Sequence, residues 1–172
     1  MLIKTVRGYT PVFGKDCFFA ENATLIGDIQ MGDHCSVWYQ AVVRGDVNRI
    51  VIGDYVNIQD GAVIHATYEK SSTQIGNNVS IGHNAIVHGC SIEDNVLIGM
   101  GSIVMDDCSI GSYSIIAAGA VVPQGTVVPP RSIYAGVPAK KIKNLSDELM
   151  QNEIEHIAKN YLLYASWFKT EQ

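Results

Sequence analysis

The chain has 172 residues, 47% of them hydrophobic and 17% charged, with a net charge of −5 at pH 7. That length suits one domain with a sizeable core, and the acidic balance argues against nucleic acid as a partner, since Lys140, Lys141 and Lys143 form its one basic cluster. No apolar run reaches the length of a membrane span and the first residues form no apolar leader, so a soluble, cytoplasmic protein with no membrane association is expected.

From Phe13 onward, apolar residues return every six positions. Phe13, Phe19, Leu25, Met31, Val37 and Val43 form one run, and Ile52, Ile58 and Ile64 a second. Ile75, Ile81 and Val87 follow, then Ile92, Ile98, Val104, Ile110, Ile116, Val122 and Val128. Glycine often follows this lead residue, as at Gly32, Gly53, Gly76 and Gly82. Four places after the lead comes a small or β-branched residue, including Cys17, Cys35, Val47, Ser91 and Cys108. Three of the four cysteines take that slot and none forms a CxxC pair, so all four are read as reduced, apolar packing residues.

A period of six fits neither a helix nor a simple strand and is the signature of a parallel β-helix. The lead residue fills the core, and glycine permits the turn. Residues 1–140 are therefore expected to form an all-β solenoid. The pattern resembles the left-handed parallel β-helix of hexapeptide-repeat proteins, which implies three hexads per coil and a left hand.

Two places break the register upward. Val43 to Ile52 is nine residues, and Ile64 to Ile75 is eleven, the second excess forming a polar loop through Thr67, Tyr68 and Ser71. Val87 to Ile92 is one residue short, which predicts a tighter corner after His88. Residues 141–172 read as a linker and a C-terminal amphipathic helix over about 146–168, packed on the prism or on a neighbouring chain. Ser146 suits its N-cap, with Asp147 and Glu148 in the first turn. Met150, Ile154, Ile157, Tyr161, Tyr164 or Ala165, and Phe168 supply the stripe.

Three of the five histidines fall between Ile58 and Cys90. Counting three leads per coil puts Val87 one coil above Ile64, so His65 and His88 stack about 4.8 Å apart at one corner. The same count places Arg44 beneath His65. His83 falls on the preceding wall, directly above Asp60. One chain does not obviously unite the three histidines, whereas a three-fold trimer would. His34 and His156 read as surface residues.

The runs Val43-Arg44-Gly45-Asp46, Asn57-Ile58-Gln59-Asp60-Gly61, Ile64-His65, Ile81-Gly82-His83, Val87-His88-Gly89-Cys90 and Gly136-Val137-Pro138-Ala139-Lys140 together resemble the γ-class carbonic anhydrase family. The resemblance implies a homotrimer with Zn2+, or Fe2+ or Co2+, at each subunit interface. His65 and His88 would ligate from one chain and His83 from its neighbour. It implies reversible hydration of CO2 to bicarbonate by a metal-bound hydroxide, with Gln59 orienting that oxygen. Arg44 would be the interfacial arginine, its carboxylate partner Asp60 or Asp46. Val47 and Tyr68 stand where active members carry acidic proton-shuttle residues, which places the chain with the short, shuttle-less branch. The alternatives are an acyl- or acetyltransferase or acyl-CoA thioesterase of the same fold, and a catalytically silent metal-binding assembly subunit.

Overall fold

A computed structural model describes residues 1–169; the last three residues of the C-terminal segment, 170–172, lie outside the described residues. The chain winds as a parallel β-solenoid, its short strands stacked into three walls. The first wall stacks Leu2–Lys4, the start of Thr24–Met31, the start of Val42–Ile52, Val63–His65, Ile86–His88, Ile103–Val104 and Val121–Val122. The second stacks Val12–Phe13, the ends of those two long strands, Thr73–Ile75, Ser91–Ile92, Ser109–Ile110 and Val127–Val128. The third runs from Phe18–Phe19 through Ser36–Val37, Asn57–Ile58, Ser80–Ile81, Leu97–Ile98 and Ile115–Ile116 to Ser132–Ala135.

Within each wall the coils pair in register, so lead stacks on lead: Val43 on Ile64, Ile64 on Val87, Ile58 on Ile81. From Leu25 to Val128 every lead residue is buried in one continuous core. Phe13 and Phe19, at the N-terminal end, have no coil below them to cover them and stay partly or fully exposed. Three of the named packing slots differ from expectation, the first being Cys17, which is only half-buried in the first coil. Val47 is only half-buried, because the three extra residues after Val43 form an outward excursion, and Ile50 fills the core instead. Ser91 is exposed and Cys90 takes the core slot, because the corner after His88 is one residue shorter.

One corner column explains the glycines that follow the second-wall leads. The backbone N–H of Lys15, Asp33, Asp54 and Asn77 each donates to the side-chain oxygen of Asp33, Asp54, Asn77 and Asp94 in the next coil, at 2.7–2.8 Å. A Cβ on Gly14, Gly32, Gly53 or Gly76 would fall within 2.5 Å of that same oxygen. Glycine is required there because its neighbour's side chain occupies the volume.

After Pro138, Lys140–Asn144, in the stretch expected to be linker, pairs antiparallel with Ser132–Ala135 and ends the parallel stack. Ser146 caps the helix as expected, its Oγ accepting the Leu149 N–H. The helix is not uniform. Asp147–Leu149 is α, Met150–Glu155 is π, and His156–Lys169 is α again. Ile154, Ala158 and Ala165 are buried along it, and Ile157 is half-buried. The helix lies on the third wall of its own chain. Tyr161 and Phe168 meet the Trp38 ring edge-on at 5.3 and 5.6 Å, and Phe168 also meets Phe18 at 5.4 Å.

The helix thus covers the third wall, while the outward column of the second mixes Gln30, Gln74, Ser91 and Ser109 with Val12, Val51 and Val127. The first wall is different. Its outward column is Val42, Val63, Ile86, Ile103 and Val121, all partly or fully exposed.

The corner column gives a direct test. Gly53→Ala would set a methyl 2.5 Å from Asn77 Oδ1 and 2.8 Å from the Gly76 backbone. It should lower stability by about 1–3 kcal/mol, read as an earlier thermal melt. Asn77→Ala, which removes the acceptor of the Asp54 N–H and the Nδ2 bond to Asp94, should cost about 1 kcal/mol.

Candidate metal centre

The residues singled out in the sequence fall at the two ends of the first wall. His65 and His88 stack on adjacent coils at its far end, as the hexad count requires. His65 Nδ1 lies 3.1 Å from His88 Nε2. The outer nitrogen of each ring meets a carboxylate: His65 Nε2 lies 3.0 Å from Asp46, and His88 Nδ1 lies 3.0 Å from Asp106.

The two irregular segments build this end. The excursion after Val43 carries Asp46 to His65. It also carries Asn48, whose Nδ2 donates to the Thr67 and Ser71 carbonyls at 2.9 and 2.6 Å, tying it to the long loop. That loop in turn directs Thr67 and Ser71 hydroxyls at Asp106, at 3.1 and 2.5 Å. Arg44 donates to Asp46 at 2.5 Å, so its carboxylate partner within the chain is Asp46. Asp60 belongs to His83.

The charge states follow from these contacts. Burial pushes the Asp46 carboxyl up, but hydrogen bonds from Arg44 and His65 outweigh it and hold the group below the usual carboxylate range. Burial likewise opposes ionisation of Asp106, and its donors Ser71, His88 and Thr67 prevail. His65 is held below the ordinary histidine value by burial, with Asp46 opposing. Two ionised carboxylates accept from the outer nitrogen of each ring, which orients both imidazoles. The two inner nitrogens face each other 3.1 Å apart. A cation between them, either a proton or a metal ion, resolves that contact.

At the near end of the same wall, His83 Nδ1 lies 2.9 Å from Asp60. Its Nε2 lies 3.2 Å from the Tyr161 hydroxyl. Burial, with Asp60 and Tyr164 nearby, pushes the Tyr161 phenol up to about 12, so it remains a donor at neutral pH. Gln59 is buried at this end and donates from Nε2 to Asn57 at 3.0 Å, which leaves its carbonyl oxygen as the acceptor. Gln59, His83 and Tyr161 share a cavity of about 470 Å3 with Leu97, Ile115 and Ile157.

All three candidate ligands thus carry a carboxylate on one ring nitrogen, the arrangement that orients metal-binding histidines. The other two histidines do not. His34 lies 3.9 Å from Asp16, beyond hydrogen-bond reach, and stacks on Tyr55 in a turn with φ of 57°. His156 is exposed on the helix. Among the described residues of one chain, no three His, Cys, Asp or Glu side chains form a complete metal site. His83 does not join the pair. Val47 and Tyr68, at the expected shuttle positions, flank Arg7, which donates to the Val47 carbonyl and lies over the Tyr68 ring. Sequence reading missed Asp106, Tyr161 and the structural use of Asp46.

The repeats and the coil define a hexapeptide-repeat protein. Residues 72–102 and 89–124 match the family described as bacterial transferase hexapeptide (six repeats). The chain belongs to the γ-carbonic anhydrase family. It is 36% identical to a carbonic anhydrase of Geobacillus kaustophilus, over 99% of this chain and 93% of that one. It is 40% identical to the mitochondrial γ carbonic anhydrase 2 of Arabidopsis thaliana over 94% of its length, but spans only 60% of that protein. Among solved structures, a hexapeptide transferase family protein from Anaplasma phagocytophilum superposes with a TM-score of 0.92 at 36% identity, covering 97% and 98% of the two chains.

Arg44→Ala should raise the Asp46 carboxyl toward its ordinary value, because it removes the strongest donor and the nearest positive charge. Carbon-13 titration of the Asp46 carboxyl reads this shift. An unmoved value would mean that His65 alone holds the group down.

Proposed function

We propose that this protein is a metal-dependent carbonic anhydrase-like enzyme that hydrates CO2 reversibly at sites shared between the subunits of a homotrimer. The observation that carries the reading is a carboxylate within 3.0 Å of each of His65, His83 and His88, against 3.9 Å for His34. Zn2+ suits three imidazoles, and Fe2+ or Co2+ accepts the same ligands.

The trimer follows from where the donors sit. His65 and His88 occupy one end of the first wall and His83 the other. If three copies turn that wall toward a common three-fold axis, the far end of one wall meets the near end of the next. His83 of the partner subunit then approaches the His65–His88 pair, and the exposed column Val42, Val63, Ile86, Ile103 and Val121 is covered. A single arrangement completes the ligand set and buries the uncovered apolar wall.

In this reading a divalent ion would supply the Lewis acidity that makes water nucleophilic near neutral pH. Asp46, Asp60 and Asp106 hold the three rings in the tautomers that leave one nitrogen each for the ion. Arg44 keeps Asp46 ionised. The Gln59 carbonyl accepts a hydrogen bond from the attacking water and so orients it toward CO2. With Val47 and Tyr68 in place of carboxylates, proton exit falls to diffusible buffer, and turnover is slow without it. Cys35, Cys90 and Cys108 are buried thiols, which suits a reducing compartment such as the cytoplasm. No described helix is long and apolar enough to cross a membrane.

One feature favours a second reading, an acyltransferase or acyl-CoA thioesterase. The cavity beside His83 is lined mainly by apolar side chains and is far larger than CO2 requires, and the Anaplasma relative is described as a transferase.

Stopped-flow CO2 hydration by zinc-, iron- and cobalt-loaded protein across a buffer series decides between them. A metal-dependent rate that rises with imidazole concentration is expected. No rate at high buffer, with turnover of acyl-CoA, would establish the second reading.

Subunit sharing is tested by mixing. His65→Ala and His83→Ala chains should each bind metal poorly alone and regain intact sites when co-refolded. No recovery would place all ligands in one chain. Asp106→Ala should weaken metal binding about 10- to 100-fold, read by chelator competition.

A further inference from the structure

The Tyr161 hydroxyl takes the ring nitrogen of His83 that Asp60 leaves free. His83 Nδ1 faces Asp60 at 2.9 Å, which leaves Nε2 as the ring's remaining lone pair, and Tyr161 meets that nitrogen at 3.2 Å. A phenol O–H and a metal ion cannot both take one lone pair. The tyrosine is held firmly in place, its ring edge-on to Trp38 at 5.3 Å and to Tyr164 at 5.4 Å.

The element that carries Tyr161 changes winding along its length. Met150–Glu155 is π-helical, and His156–Lys169 continues from it as α-helix. A π turn contains one residue more than an α turn, and such segments mark places where a helix can change register. Rewinding 150–155 as α would turn everything downstream by roughly 100°, the angle of one residue at 3.6 per turn. That rotation carries Tyr161 off His83. Ile154, Ala158 and Ala165 are buried with Tyr161 half-buried between them, so the face that carries Tyr161 is the one packed on the prism.

We infer that Tyr161 is a positioning residue that caps His83 Nε2 and withholds it from the metal until the C-terminal helix shifts. The inference rests on the reading of His83 as a metal ligand. The helix is then both a cover for the third wall and a latch on the ligand that one subunit lends to the next. Tyr161 competes with the ion directly, so metal loading and helix position are linked reciprocally.

The test uses the full chain, freed of metal, with Zn2+ or Co2+ as probe. Affinity is measured by chelator competition for the wild type, Tyr161→Phe and His83→Ala. Tyr161→Phe keeps the ring against Trp38 and deletes only the hydroxyl. It should bind metal about two- to ten-fold more tightly, the ratio corresponding to one hydrogen bond. Hydrogen exchange across residues 150–169 gives a second readout that packing alone would not move. Exchange should quicken on metal addition in the wild type, and less so in Tyr161→Phe. Unchanged or weaker affinity in Tyr161→Phe, with helix exchange indifferent to metal in the wild type, overturns the latch. If Tyr161→Phe melts early, the wild-type exchange response decides alone. His83→Ala separates the two levels. Lost metal binding there with a neutral Tyr161→Phe defeats only the latch, whereas unchanged binding in His83→Ala defeats the ligand reading beneath it as well.

Discussion

In-register stacking is the constraint on which everything else depends. Because each coil pairs with the next residue for residue, a side chain's nearest long-range neighbour is the one at its own position a coil away, about 4.8 Å along the axis. A column therefore acts as a unit. Lead residues make a continuous core, side-chain oxygens make a ladder through the glycine corner, and histidines one coil apart become a pair. Isolated, none of these positions would be unusual. Their effect comes from repetition at a fixed spacing.

The same rule explains what could be read from the sequence. A period of six gives the core and the corner glycines. Counting leads gives the stacking of His65 on His88 and of His83 on Asp60, because these depend only on register. Register says nothing about residues that leave the coil. Asp46 approaches His65 on a three-residue excursion, so the choice between Asp46 and Asp60 as partner of Arg44 was not accessible to counting. Asp106 stands one coil above His88, yet it is two places after its lead and reads as an ordinary corner aspartate. Its role depends on the loop that brings Thr67 and Ser71 to it. The π turn left no trace in the sequence, since both windings of residues 150–155 offer a similar apolar pattern. The strand at Lys140–Asn144 reads as polar linker because its partner lies on one side only.

The candidate site is a site in two parts. Each end of the first wall holds oriented imidazoles whose partner carboxylates belong to the same chain, so the rings are oriented before any subunits meet. In the proposed trimer, association would supply proximity and the release of His83 from Tyr161. That division suits a family in which one scaffold serves different chemistries.

The antiparallel pairing of Lys140–Asn144 with Ser132–Ala135 bears on how such a molecule stays discrete. A parallel solenoid is in principle an endless object, since its last coil offers the same unpaired edge as every coil before it. Reversing chain direction in the final strand denies an incoming coil the parallel register it would need. Lys140, Lys141 and Lys143, all exposed on that strand, add charge along the rim, a recognised defence of sheet edges. A few residues that look like a tether thereby act as a stop, which lets a fibril-like architecture exist as a soluble particle of fixed length.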